Sequence, residues 1–142
     1  HVAAKARGRH VTGAGDTPSS TPRALPLVLA GLSGLLGVGL SAAATHSPAG
    51  ALLDPAARML LAHAPLFLFL SLATGLTPRG AGTAICWIAA VGLSLFCGDL
   101  SARAFLGQRL FAFAAPLGGG LLILAWASVA LAGLAELSRR ER

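Results

Sequence analysis

The chain has 142 residues, of which 55% are hydrophobic and 11% charged, and its formal net charge is +6. Charged residues make up about 25% of a typical soluble domain, so a soluble fold of this size would expose too much apolar surface to water. The basic residues lie in tails and short loops between apolar runs, which is typical of membrane orientation signals; no basic face indicates a nucleic-acid partner.

Residues 1–24 form a polar, basic tail that contains no apolar patch. This composition predicts disorder when the tail is alone. The favoured interpretation is a solvated tail. Two alternatives remain open: a basic, Ser-rich mitochondrial transit peptide, or a cytoplasmic tail that anchors on a partner or on anionic lipid.

Apolar runs fill the rest of the chain. The longest, residues 110–135, has 26 residues without a formal charge. As a helix it would be roughly 39 Å long, more than the ~30 Å hydrocarbon core of a bilayer. We therefore predict an all-α membrane protein whose residues 25–135 form a four-transmembrane-helix bundle, followed by a basic C-terminal tail at 136–142. The predicted spans are about 25–45, 56–76, 81–99 and 110–135.

Local signals predict where two of these spans begin. Asp54 followed by Pro55 is typical of an N-cap and a first-turn proline, which would start the second span. Pro116 has two interpretations, because a proline either kinks a helix or lies in its first turn. It either bends the fourth span or marks the start of its regular helix.

Counting Lys and Arg predicts the orientation. The N-terminal tail, second loop and C-terminal tail carry eight of these residues, and the other two loops carry three. By the positive-inside rule both termini are cytoplasmic. The abundance of Ala, Leu, Gly and Arg, with no Asn or Tyr, favours a GC-rich bacterial source. We expect the bacterial inner membrane, with the mitochondrial inner membrane as the alternative.

Small residues predict where the helices pack. Ser33, Gly37 and Ser41 recur every four positions in the first span, so they stack along one helix face. Such a face allows close approach of a neighbouring helix in lipid. Gly118 and Gly119 of the fourth span are predicted to pack in the same way.

Five ionisable residues are predicted to share one half of the membrane. With both termini on the same side, the end of the first span, the start of the second and the end of the third meet on the other side. Ionisable groups at membrane depth face the bundle interior or water. The predicted polar cluster consists of His46, Arg58, His63, Asp99 and Arg103.

Three interpretations of this cluster compete. In the favoured one the groups hold the helix ends together, with Asp99 paired to Arg103 four residues on and the histidines bonded to backbone carbonyls. In the second, His46 and His63 ligate a haem or metal, as facing imidazoles can; we predict no cofactor and no metal. In the third, His63 and Asp99 line a proton or solute path. No catalytic motif is present, so we expect no enzyme.

The order of several short motifs resembles a known family. The chain is similar to the small four-span inner-membrane family of unknown function typified by the bacterial YgdD protein, which has eukaryotic transmembrane relatives. The resemblance covers about residues 27–134 and implies a four-helix membrane fold without an established reaction. The motifs that carry it are Gly39 to His46, Arg58 to His63, Leu95 to Leu100, and Pro116-Leu117-Gly118-Gly119 followed by Trp126.

These observations favour a non-catalytic integral membrane protein. We expect an accessory or scaffolding subunit of a larger membrane complex, a respiratory or photosynthetic complex being one candidate. Its expected partners are the lipid bilayer and other membrane-protein subunits. The alternative is a small channel or transporter with a path lined by His and Asp.

Overall fold

A computed structural model describes residues 23–73 and 80–141. These residues form helices α1 (Ala24–His46), α2 (Gly50–Leu72), α3 (Ala81–Leu106) and α4 (Ala114–Arg140), with no strand among them. All four are long and apolar enough to cross a membrane. The predicted all-α, four-helix membrane fold is therefore confirmed. The predicted N-terminal tail lies outside the described residues except for its last two, and the orientation of the termini stays a prediction.

Lipid explains why such sequences are helical. The bilayer core offers no water to bond backbone groups, so each N–H and C=O needs a partner within its own helix. The large apolar side chains that α1 and α4 expose, such as Leu35 and Ile123, contact the bilayer. The chain is a multi-pass membrane protein.

The start of α2 corrects one prediction. Asp54 is not an N-cap, because α2 begins at Gly50 and its cap position is Ala49. The hydroxyl of Ser47 accepts the backbone N–H of Ala49 at 3.1 Å, so the turn that starts the helix forms earlier in the chain. Pro55 then lies inside α2, and Asp54 pairs instead with Arg58.

The connection between α3 and α4 begins and ends later in the chain than the predicted spans imply. Helix α3 continues to Leu106, seven residues beyond the predicted span, and ends at Gly107 in the left-handed conformation (φ 69°). Helix α4 begins at Ala114, so Pro116 lies in its first turn, as one of the two interpretations predicts. Residues 107–113 form the connection.

The helices pack in chain order, each antiparallel to the next. Helix α1 contacts α2, α2 contacts α3, and α3 contacts α4. Helices α2 and α3 each contain nine buried residues, whereas α1 has three and α4 has four. The α2–α3 pair is therefore the interior of the molecule. We call the end that holds residues 47–49 and 107–113 the hairpin end.

Ser33 and Gly37 lie in the α1–α2 contact, where both are buried. A Cβ added to Gly37 would lie 2.7 Å from Cγ of Leu61, so the helices approach closely at this glycine. Ser41 is exposed. The reason is geometric: a four-residue repeat turns about 40° per step around a helix of 3.6 residues per turn, which carries Ser41 away from the contact.

The α3–α4 contact is closer still. A Cβ added to Gly118 would lie 2.5 Å from the backbone nitrogen of Phe96 and 2.7 Å from the carbonyl oxygen of Gly92. Two glycines thus let the two backbones meet, as in other close helix pairs in membranes. A Cβ added to Gly119 would meet only the ring of Phe96, at 3.9 Å.

Candidate functional site

Asp99 connects α3 to the segment that follows it. Its side chain is buried in the last two turns of α3, with 2% of its surface exposed. Oδ1 accepts the backbone N–H of Leu110 at 2.9 Å, and Oδ2 lies 3.8 Å from Nη1 of Arg103. The turn at Gly107 directs the chain back over α3, which places Leu110 against the carboxylate. Asp99 therefore holds the α3–α4 connection at the hairpin end.

His63 lies near the middle of α2 and only 3% of its surface is exposed. Its Nδ1 is 2.7 Å from the carbonyl oxygen of Met59, and its Nε2 is 3.1 Å from Nε1 of Trp126 on α4. A carbonyl can only accept and an indole N–H can only donate. Nδ1 therefore carries the proton, and Nε2 accepts from Trp126, which joins α2 to α4.

Trp126 is the partner that sequence reasoning missed. It lies 63 residues from His63 along the chain, so no local spacing indicates the pair. The rings are 5.9 Å apart between centroids and meet edge to face at 61°. Both ring nitrogens of His63 therefore have partners within the protein.

Arg58 and His46 have different surroundings from the buried groups. Arg58 is largely exposed, and its Nε lies 2.9 Å from Oδ2 of Asp54, four residues earlier on the same helix. His46 is the exposed last residue of α1. Within residues 23–73 and 80–141 it makes no side-chain hydrogen bond or ion pair. Of the five residues predicted to cluster, the structure brings Asp99 and Arg103 into contact.

The side chains that commonly bind metal ions are dispersed in the described part of the chain. Residues 23–73 and 80–141 contain no group of three or more His, Cys, Asp or Glu side chains that could hold a metal ion. Cys86 and Cys97 are both buried and free. The thiol of Cys97 lies 3.4 Å from the carbonyl oxygen of Ala56, a contact between α3 and α2.

Two adjoining cavities lie along α4. The first, of about 610 Å³, opens at the hairpin end and is lined by Asp99, Arg103 and Arg109 together with the first turns of α4. The second, of about 640 Å³, lies between α2 and α4 and is almost wholly apolar, with the His63–Trp126 pair in its wall. Both are lined by Phe96, Gly119 and Ile123.

A third cavity lies on a different face, between α1 and α3. This groove has a volume of about 460 Å³. Four leucines of α1 form one wall, Leu60 and Phe67 of α2 form the floor, and the small residues Ala90, Ser94 and Ser101 of α3 lie in the other wall. We call it the α1–α3 groove.

Comparison with known proteins identifies a family without an assigned activity. A family model described as "protein of unknown function" (DUF423) matches residues 35–119, from the middle of α1 to the first turns of α4. The resemblance to a small four-span family of unknown function is thereby confirmed. No protein with a curated description matches the chain, and no solved structure matches it.

Proposed function

Because the chain belongs to the DUF423 family of proteins of unknown function, whose description gives no activity, we propose a function from the geometry of the molecule. The protein is a non-catalytic accessory subunit that receives one transmembrane helix of a larger membrane assembly. A respiratory or photosynthetic complex is one candidate for that assembly. The α1–α3 groove is the observation that carries this proposal.

The groove has the shape and lining that favour a helix. Leu29 and Leu40 lie eleven residues apart on its α1 wall, about 16 Å along the helix. Ala90 and Ser94 are one turn apart on the α3 wall, and the hydroxyl of Ser94 donates to the carbonyl of Ala90 at 2.8 Å. Helices in lipid associate through small residues that allow close packing. A partner helix would fit its larger side chains into this groove.

The buried polar groups favour a structural role over transport. His63 is bonded to Met59 and Trp126, and Asp99 is bonded to Leu110 and paired with Arg103. These are the two residues that would line the path of a small channel or transporter. Both side chains have partners within the protein, and these contacts support a structural role. His63 joins two helices, and Asp99 holds the α3–α4 connection in place.

The test is co-migration with a partner. The protein is extracted from native membranes in mild detergent, and the native-gel mass and composition of its band are determined. We expect a band of several times 14.2 kDa that contains other membrane proteins. The Ser94→Phe variant fills the groove and should release them, whereas Val91→Phe, an exposed position of α3 outside the groove, should not.

Two outcomes would contradict the proposal. One is a wild-type protein that is monomeric and free of other proteins after gentle extraction. The other is a Ser94→Phe variant that stays with the same partner as fully as Val91→Phe does. Flux of a solute into liposomes that carry the pure protein, lost in His63→Ala, would favour the alternative of a channel or transporter.

The proposal includes a location and an orientation. Composition favours the bacterial inner membrane over the mitochondrial one, and the distribution of Lys and Arg favours cytoplasmic termini. A reporter enzyme that is active only outside the cytoplasm, fused after Arg140, should be inactive. The same reporter inserted in the 107–113 connection should be active, and the reverse pattern would contradict the orientation.

A further inference from the structure

The cavity at the hairpin end carries an excess of positive charge. Arg103 and Arg109 both line it, opposed by the single carboxylate of Asp99. That carboxylate already accepts the N–H of Leu110, and its ion pair with Arg103 is long, at 3.8 Å. Arg109 is exposed and makes no ion pair within the described ranges 23–73 and 80–141. Guanidinium groups bind phosphate oxygens with matched geometry, so an anion is the ligand that this cavity favours.

An apolar path leads inward from these arginines. The two adjoining cavities are lined by α4 from Ala115 to Ala127, twelve residues or about 18 Å along the helix. One leaflet of the ~30 Å hydrocarbon core is about 15 Å deep. Because Gly119 and Gly120 have no side chains, α4 leaves open space along the path. A Cβ at Gly120 would meet nothing within 4 Å. The path is therefore as long as a single lipid tail.

We propose that this face binds one anionic lipid, with its phosphate at Arg103 and Arg109 and one acyl chain in the path between α2 and α4 over Phe96. A free anion would use only the charged cavity, and a neutral lipid would use only the apolar one. Only a molecule with an anionic head and a long apolar chain complements both. The site lies on a different face from the α1–α3 groove and does not depend on the proposed partner helix.

The first experiment compares two lipids that differ only in the head. Full-length protein in detergent is titrated with phosphatidylglycerol or with phosphatidylcholine of the same acyl chains, and bound lipid is measured by native mass spectrometry. We expect phosphatidylglycerol to bind at least fivefold more tightly. Inorganic phosphate at the same concentrations should neither bind nor compete. Equal binding of the two lipids, or displacement of lipid by phosphate, would overturn the proposal.

Charge variants test the head position. Arg109→Gln should weaken phosphatidylglycerol binding about fivefold, the order expected for one basic residue at a membrane surface. Arg58→Gln is the matched control, since Arg58 lies at the same end, loses the same charge and is outside both cavities. Equal weakening by the two variants would show general surface attraction and overturn a defined site.

A steric variant tests the acyl path. Gly119→Leu places a side chain where the two cavities adjoin. Its Cβ would make only an ordinary van der Waals contact with the ring of Phe96. Gly133→Leu is the matched control on the same helix, at a position with open space around it. Both substitutions raise helix propensity, so both variants should fold. We expect Gly119→Leu to abolish the preference for phosphatidylglycerol and Gly133→Leu to keep it. If both variants keep the preference, the proposed position of the acyl chain is wrong.

Discussion

The two helical hairpins are held together in different ways. At the turn of the α1–α2 hairpin, Gly50 approaches the backbone carbonyl oxygen of Ala44, but between the two helices Gly37 approaches the flexible side chain of Leu61. The ion pair nearest that turn lies exposed within α2 alone. In the α3–α4 hairpin, Gly118 approaches the backbone of Phe96 and Gly92. There a buried carboxylate also bonds the connection between the helices.

This difference determines how much each hairpin can adapt. A side chain such as that of Leu61 changes rotamer at small cost, whereas two backbones in contact move only if the helices separate. Lipid gives helices no hydrophobic reason to associate, so packing and hydrogen bonds decide which pairs stay together. At Gly118, α3 and α4 should therefore resist an added side chain, whereas α1 and α2 can accommodate one at Gly37 by moving Leu61.

The largest expected effect comes from the backbone contact between α3 and α4. In Gly118→Ala the new Cβ would lie 2.5 Å from the nitrogen of Phe96, so α3 and α4 must separate. We expect a loss of about 3 kcal/mol in the free energy of unfolding, at the upper end for overpacking. Unfolding by a denaturing detergent in mixed micelles measures it. An unchanged transition would show that the two helices are not in backbone contact.

Loss of the buried carboxylate should rank second. Asp99→Leu leaves the N–H of Leu110 without its acceptor and Arg103 without its counter-charge. We expect a loss of about 2 kcal/mol, in the range for a hydrogen bond to a charged group. Asp99→Asn keeps an oxygen acceptor and should lose about half as much. Equal losses in the two variants would mean that the ion pair, and not the bond to Leu110, is the important contact.

The link between the hairpins should contribute less. Trp126→Phe removes the indole N–H that His63 accepts, and interhelical hydrogen bonds of this kind contribute about 1 kcal/mol in membranes. His63→Phe should cost a similar amount. The double variant should cost less than the sum of the two, because both remove the same bond. Strict additivity in this cycle would contradict the bond.

The α1–α2 contact should give the smallest effect. The Cβ of Gly37→Ala would meet Cγ of Leu61 at 2.7 Å, but that side chain can move, so we expect a loss below about 1 kcal/mol. Gly34→Ala is the matched control, because a Cβ there meets nothing within 4 Å, and its stability should not fall. A loss at Gly37 as large as that at Gly118 would remove the distinction between the hairpins.

Part of the fold and of the site can be predicted from the local spacing of residues. The apolar runs predict four membrane helices because a helix must be long and uncharged to cross lipid, and the four-residue spacing of Asp99 and Arg103 predicts their pairing. The same spacing rule overextends the small-residue face to Ser41, because the repeat does not match the turn of the helix. Asp54 followed by Pro55 predicts the wrong start for α2, because the turn at Ser47 begins the helix earlier in the chain.

Contacts across the fold were not accessible from the sequence. Nothing within α2 indicates that His63 meets Trp126, since the pairing depends on how α2 and α4, which both pack against α3, lie relative to each other. The bond from Leu110 to Asp99 likewise requires the turn at Gly107 to be known. The approach of Gly118 to Gly92 depends on the relative position of two helices, which no single run of residues contains.

The bond between Trp126 and His63 gives the protein an intrinsic fluorescent reporter. The chain has two tryptophans and no tyrosine, so its ultraviolet emission comes from Trp87 near the start of α3 and Trp126 in α4. In a Trp87→Phe chain, all tryptophan emission would arise from the one indole that is bonded to α2. Its spectrum would follow the separation of α2 from α4 in an intact membrane, without an attached dye.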